Sequence, residues 1–317
     1  MRERRSADDL LAEARAGLDR VSASHLAAEM TDGALVVDIR PVEQRQRDGD
    51  VPGAIVIDRN VLEWRLDPAS PHCVEAIDGY DQRIVLVCNE GYSSSLAAAT
   101  LRKLGLHRAT DLDGGVQAML AARHWDAVHG NKAAAETSWF QAEPSTSQRL
   151  LTDYAPPPAS VVDVGAGTSF LADRLLEQGW ADVTVLDVSA AALSRLESRC
   201  GTAVTLVLAD LLSWVPTRTF DAWHDRATFH FLTDNGARQR YAGAAARCVA
   251  VGGVLVIGTF APDGPGHCSG LRTARYDADA LAELFGPAFA LEHTEREEHT
   301  TPWGDVQPFT WAVLRRR

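Results

Sequence analysis

The stretch VVDVGAGTSFLADRLLEQG, residues 161–179, decides how the C-terminal half of this chain is read. An apolar run ends on Val164 beside Asp163, Gly165 and Gly167 follow at once, and the residues after Ser169 repeat their apolar positions at helical spacing. The pattern predicts a strand, a tight turn and an amphipathic helix. A G-x-G turn alone is weak evidence, because any sharp strand-to-helix connection can require glycine. The next predicted strand, DVTVLD (182–187), closes on Asp187 about 20 residues downstream, where a carboxylate can take both hydroxyls of a ribose. Asp210, ending AVTLVLAD (203–210), falls where an adenine amino group can be read, with Leu211 beside it. A dinucleotide turn would carry a third glycine in G-x-G-x-x-G, and that position is Phe170, so dinucleotide binding is the weaker reading.

Outward from this turn, FDAWHD (220–225), GGVLVIGTF (252–260) and VQPFTWAVLRR (306–316) continue the strand series, with helical segments such as AALSRLESRC between them. A separate series lies upstream: ALVVDIR (34–40), AIVID (54–58) and RIVLVC (83–88), then SSLAAATLRKLG (94–105) with helical composition and a closing glycine. Strands alternating with helices in both halves predict two α/β units, each on a mostly parallel sheet. Residues 123–148 show no sustained strand or helix pattern, so the boundary is expected within 128–136. The expected division is an N-terminal helical extension (1–21), a first domain (22–127), a linker (128–136) and a second domain (137–317).

At 317 residues two domains are the prior. With 43 acidic against 31 basic side chains the formal charge is −12, which opposes the basic field needed to gather nucleic acid. Small molecules or proteins are the expected partners. The five cysteines are odd in number, scattered and free of C-x-x-C pairs, which suggests neither a disulfide framework nor a metal site and fits a reducing cytoplasm. MRERRSADDLLAEARAGL reads as an amphipathic helix without the apolar core of a signal peptide, and no run approaches a membrane span. Nothing in the sequence bears on oligomeric state.

CNEGYSSS (88–95) places a cysteine at the end of a buried strand, a glycine three residues later and serines at the start of the next helix. Such a turn aims backbone N–H groups and a helix N-terminus at the sulfur and favours negative charge there, making Cys88 a candidate nucleophile. A phosphatase loop would have arginine six positions after the cysteine. Position 94 is serine, so phosphate loses its bidentate clamp. Taken in order, DIR (38–40), GDVPGAIVID (49–58), the cysteine loop and DLDGGVQAM (111–119) resemble a rhodanese domain across residues 22–122. The resemblance implies a persulfide on Cys88, with Asp38 and Arg40 supporting the loop. Asp50 stands where most relatives have histidine, and the loop carries Glu90 and no lysine or arginine, which disfavours thiosulfate as the preferred donor.

The glycine turn, Asp187 and the strand series through residue 316 resemble a class I S-adenosylmethionine-dependent methyltransferase with a Rossmann-like sheet. The resemblance implies that Asp163, Gly165 and Gly167 line the methionine end of the cofactor, Asp187 the ribose, and Asp210 with Leu211 the adenine. After the fourth strand, HDRATFHFL (224–232) replaces the D/N-P-P-Y/F motif of enzymes that methylate nucleic-acid amines. His224, Asp225, Arg226 and His230 there are candidates for binding an anionic acceptor or accepting a proton, or else for packing the strand. Trp139, Phe140 and Gln141 are candidates for covering the pocket. PDGPGHCSGLRTARY (262–276) reads as an active-site loop, and Cys268, Arg275, Tyr276, His299 and Gln307 are weaker candidates. The joint expectation is a sulfur donor at Cys88 and methylation of a small thiol, sulfide or persulfide. Its rivals keep the first domain as a sensor or docking module beside a methyltransferase for an unrelated oxygen or nitrogen acceptor, or direct the methyl group to a protein side chain such as lysine.

Overall fold

The computed structural model describes residues 4–317, which divide into two compact units after Ala122. In the N-terminal unit the chain forms α1 (Ala7–Ala16), α2 (Leu26–Thr31), β1 (Leu35–Asp38), α3 (Val42–Asp48), β2 (Ile55–Val56), α4 (Leu62–Leu66), β3 (Ile84–Val87), α5 (Ser93–Leu104) and β4 (Ala109–Asp111). The four strands pair in parallel in the order β2-β1-β3-β4. The β-branched runs LVVD and IVLV occupy the two central strands because a parallel sheet is covered on both faces. Alternate residues accordingly face two cores. Val37, Leu86 and Leu101 fill one, and Val36, Val85, Val87 and Leu112 the other.

The C-terminal unit contains α7 (Ser145–Tyr154), β5 (Val161–Val164), α8 (Leu171–Glu177), β6 (Val183–Asp187), α9 (Ala190–Cys200), β7 (Thr205–Leu208), β8 (Phe220–Arg226), α10 (Asn235–Cys248), β9 (Val249–Phe260), the short antiparallel pair β10 (His267–Cys268) and β11 (Leu271–Arg272), α11 (Ala278–Phe285), β12 (Phe289–Thr300) and β13 (Val306–Arg316). Its main sheet has seven strands in the order β12-β13-β9-β8-β5-β6-β7. Pairs from β9 to β7 are parallel, and β13 runs antiparallel to both neighbours. The chain winds outward from β5 through β6 to β7, then crosses to β8 on the other side. This reversal opens a crevice at the carboxyl ends of β5 and β8, where open α/β sheets bind ligands. The glycine turn and Arg226 stand at that rim.

Residues 123–148 depart from the expected absence of regular structure. Helix α6 (Gly115–Asn131) runs through the division of the two units, and α7 follows Pro144. The run AMLAARHW is rich in strong helix formers, and α7 buries Ser147, Leu150 and Leu151, one turn's spacing. The end of α6 therefore belongs to the C-terminal unit, upstream of the expected boundary. The predicted loop at 262–276 contains the β10–β11 hairpin, and β12 was not anticipated. Among the described residues no helix is long and apolar enough to cross a membrane.

Candidate functional sites

In the N-terminal unit, β3 ends at Val87 and delivers Cys88 into a tight loop. Gly91 donates its N–H to Cys88 Sγ at 3.2 Å, and Ser94 Oγ lies 3.1 Å from the same sulfur. Gly91 adopts φ +75, and a Cβ there would come within 2.9 Å of Gly114 N, so only glycine folds the loop back onto the start of α6. Val116 and Gln117 donate their N–H groups to the carbonyls of Cys88 and Asn89, fixing the loop from below. Ser94 Oγ also reaches Asp111 Oδ2 at 3.0 Å, as does Ser95 Oγ at 2.7 Å. Asp111 is fully buried and its charge is met by Arg20, whose Nε donates to Oδ1 at 2.9 Å. A chain of polar contacts thus runs from Cys88 through Ser94 and Asp111 to Arg20. Arg15 and Arg20 both donate to Gly91 O, so cations reach the loop's backbone from the N-terminal extension. The loop sequence itself gives no sign of them.

Asp38 and Arg40 form a buried bidentate pair, Nε to Oδ1 at 3.0 Å and Nη2 to Oδ2 at 2.7 Å. Arg40 Nη2 also donates to Gly49 O, whereas its Nη1 is buried without a partner. Arg40 and Cys88 line one cavity of about 310 Å³ together with Ile39, Pro41, Asn89 and Glu90. The cation missing from the loop is therefore supplied beside it. Asp50 is exposed and faces Arg45 at 3.5 Å.

In the C-terminal unit, Gly165 and Gly167 take φ +61 and +55. A Cβ at Gly165 would lie 2.0 Å from Thr228 Oγ1, and one at Gly167 would lie 3.1 Å from His129 Cε1. Asp187 ties this turn to the next, accepting N–H groups from Gly167 at 2.7 Å and Ser189 at 2.8 Å. Burial pushes its carboxyl up to about 6 against the opposing effect of those bonds. The end of α6 joins the same turns. Asp126 Oδ1 accepts from Ser189 Oγ and Ala191 N, and His129, pulled down to about 4 by burial, packs on Gly167 beneath Trp125. Asp210 accepts from Leu212 N, and Leu211 is buried.

The segment HDRATFHFL separates into two groups. His224 is buried, with Nδ1 2.7 Å from Asp163 Oδ1 and Nε2 2.9 Å from Ser147 Oγ. Asp225 accepts from Tyr241 Oη at 2.6 Å and from the N–H groups of Thr228 and Phe229, and burial pushes it up to about 6. Both rim residues are fully engaged inside the unit, and Asp225 does not pair with Arg226. Arg226 and His230 form the second group. Arg226 Nη1 donates to Trp139 O at 2.8 Å, while Nε and Nη2 are buried without partners. Its guanidinium lies over the Phe309 ring at 4.9 Å, and burial, opposed by the nearby Glu297, lowers it to about 10. His230 stacks on Phe260 at 4.1 Å, lies 6.4 Å from the same Phe309 ring, and leaves both ring nitrogens unpartnered. Burial and then Arg226 bring it to about 3. His230 is a neutral ring in this environment.

Residues 138–141 close on this group. His299 Nε2 meets Ser138 O at 2.7 Å, Cys268 Sγ meets Ser138 Oγ at 3.7 Å, Trp139 O takes Arg226, and Gln141 donates to Glu297 at 2.7 Å. Burial lowers His299 and raises Cys268. Phe140 meets Phe170 edge to face. Tyr276 is buried against Phe229, Gln307 Oε1 is buried without a partner, and Arg275 is exposed. Sequence reasoning missed Glu297, Ser147, Tyr241, Asp126 and His129. Their side-chain hydrogen-bond partners lie from 14 to 156 residues away, so no local pattern announces them.

Comparison with known proteins now bears on both units. Residues 22–122 match the rhodanese-like domain, and residues 161–253 match the methyltransferase domain. The chain is a fusion of a rhodanese-like domain and a methyltransferase domain. No curated protein matches it. A solved structure from work on conversion of a disulfide bond into a thioacetal group during echinomycin biosynthesis shares 21% identity over 62% of this chain and 92% of its own, with a TM-score of 0.51. An S-adenosylmethionine-dependent methyltransferase from Anabaena variabilis shares 18% over 63% of this chain and 95% of its own, also at 0.51. For the methyltransferase domain these likenesses establish the fold. A protein of unknown function from Rhodopseudomonas palustris, described as a possible tyrosine phosphatase, is 29% identical over 39% of this chain and 95% of its own, with a TM-score of 0.36.

Proposed function

We propose that the chain is a bifunctional transferase that accepts sulfane sulfur on Cys88 and methylates sulfur, in a small thiol, sulfide or persulfide, at the methyltransferase rim. S-adenosylmethionine is the cofactor of the methyltransferase domain, and the rim residues suit it. The Gly165–Gly167 turn is a cradle that added Cβ atoms would fill, and Asp187 is a desolvated carboxylate with one backbone N–H on each oxygen, which leaves each oxygen able to accept a ribose hydroxyl. Asp210 and Leu211 follow β7 where the adenine would lie. When bound, the cofactor supplies a sulfonium methyl group open to in-line displacement.

The observation that carries the acceptor class is the scarcity of usable bases around Arg226. His230 is held near 3, His299 is held low, and the ring nitrogens of His224 are both engaged. Glu297 accepts from Gln141 and Trp311. An alcohol must lose its proton to a base as it attacks, and an alkyl ammonium must lose one before its lone pair can attack, whereas a thiol ionises by itself near neutral pH and a buried guanidinium favours the thiolate. A sulfur nucleophile is the acceptor that this environment supports.

At Cys88 the thiolate attacks the outer sulfur of the donor, forming a Cys88 persulfide and releasing the donor's remainder as an anion. An acceptor thiolate then takes that sulfur and regenerates the Cys88 thiolate. The acceptor leaves as a persulfide anion, itself a methyl acceptor. Fusion raises the effective concentration of the covalently held Cys88 persulfide at the other domain to roughly millimolar.

The test uses full-length protein with methyl-labelled S-adenosylmethionine, sulfide, persulfides, small thiols and amines, with and without a sulfane donor, and mass spectrometry of the products. Label on sulfur supports the reading, and dependence on both donor and Cys88 supports the two-step sequence. Label on nitrogen or oxygen, unchanged in C88S, overturns it and leaves the rhodanese-like domain a sensing or docking role.

A further inference from the structure

The guanidinium of Arg226 has an uneven set of partners. Nη1 is fixed by Trp139 O at 2.8 Å, and the face is occupied by the Phe309 ring, so both plane and rotation are set. The two buried, unpartnered donors are Nε and Nη2. These lie on one edge of the group and present parallel N–H bonds at the spacing of two carboxylate oxygens. Arg40 uses this same edge on Asp38 in the other unit. No protein carboxylate takes it on Arg226: Glu297, the nearby anion, accepts from Gln141 and Trp311, and Asp225 accepts from Tyr241 and backbone N–H groups. A cation buried with two of its three nitrogens unmatched costs stability, and such costs persist at ligand sites.

Two neighbours extend the argument. His230 is 0% exposed, shares the Phe309 ring with Arg226, and leaves Nδ1 and Nε2 unpartnered. One ring nitrogen of a neutral imidazole donates and the other accepts, so His230 can add a further contact to a polar ligand. Two residues after Arg226, Thr228 Oγ1 sits 3.3 Å from the carbonyls of both Val164 and Gly165. The unpaired edge is therefore tied through a short backbone segment to the turn that cradles the cofactor.

We propose that the methyl acceptor is a small thiol carboxylate, whose carboxylate is gripped by the Nε and Nη2 edge of Arg226 beside His230. The proposal rests on the S-methylation reading for the nature of its nucleophile, and on Arg226 alone for its carboxylate. In the complex both unmatched donors gain charge-assisted bonds, and the planar anion lies in register with a fixed plane.

The experiment titrates full-length protein, saturated with S-adenosylhomocysteine, with two acid–amide pairs: 3-mercaptopropionate with 3-mercaptopropionamide, and propionate with propionamide. Binding is followed by ligand-observed NMR, and the sulfur-containing pair is also assayed for methylation. Each acid is expected to bind about 10- to 100-fold more tightly than its amide. R226Q should bring the acids down to the level of the amides, and R226K, which keeps the charge and loses the fork, should fall between. Retained affinity for S-adenosylhomocysteine certifies that the variants are folded, and the comparison on wild-type protein needs no variant. Equal binding of acid and amide to the wild type, or equal losses for both in R226Q, overturns the proposal and leaves the edge to water. Acids that bind through Arg226 but receive no methyl on sulfur leave the carboxylate site standing and refute S-methylation. Equal methylation of the two mercapto compounds does the reverse.

Discussion

Thr228 and Gly165 meet so closely that the side chain of one occupies the space of the other's missing Cβ. Thr228 Oγ1 is 2.0 Å from where that atom would be, and the same oxygen contacts the carbonyls of Val164 and Gly165 at 3.3 Å. The segment that follows β8 thereby holds the glycine turn after β5 in a left-handed conformation that other residues enter only at a cost.

G165A is expected to lower the unfolding free energy by about 2 kcal/mol, from φ +61 and the clash together, and to abolish S-adenosylhomocysteine binding. Urea denaturation and calorimetric titration measure the two effects. Unimpaired binding would mean that the turn has room to move.

Arg20 is expected to be as important to the Cys88 loop as residues within it. R20M leaves Asp111 buried with its charge unmatched and should destabilise the full chain by about 3 kcal/mol, most of which the double variant R20M/D111N should recover. Denaturant midpoints decide the matter, and additive effects of the two substitutions would show that the pair does not interact.

Asp225 should impose a pH dependence on folding. Burial raises its carboxyl to about 6 from an ordinary value of 3.8, so between those values the folded chain holds a proton that the unfolded chain has released. This contribution to stability is present below pH 4 and is lost as pH rises through about 6. Relative to D225N, the wild type should lose on the order of 2 kcal/mol across this window, read from urea melts between pH 4 and pH 7. Parallel profiles for the two proteins would contradict the assignment.

Ala227 adopts φ +69 between Arg226 and Thr228. A227G should relieve that conformation and raise stability by about 0.5 kcal/mol, the balance of relieved strain and added chain entropy. It should also loosen the connection between the Arg226–His230 cluster and the glycine turn, reducing kcat while leaving S-adenosylhomocysteine affinity intact. Unchanged kcat would show that the strained residue has no part in positioning.

Strands and glycine turns were legible because their signals are local. LVVD, IVLV and VVDV are short β-branched runs buried on both faces, and Gly91 and Gly165 lie where the chain must turn sharply. β12 escaped notice because it is an edge strand: TEREEHT alternates half-buried and exposed positions while charge masks its period. The end of α6 was obscured by His124, Trp125, Asp126 and His129, residues chosen for what they touch and not for their apolarity. The Arg20–Asp111 and His299–Ser138 contacts join positions 91 and 161 residues apart, and no window of sequence contains both ends.

The neutrality of His230 has a consequence for reading the catalyst from outside. Its ring changes charge only near pH 3, Arg226 only near pH 10, His299 is held low and Cys268 high. Between those two values His230 stays neutral and Arg226 stays charged. A plot of methylation rate against pH then carries no inflection from His230 or Arg226 between those limits, so a step away from the value near 6 of Asp187 and Asp225 reports the incoming nucleophile.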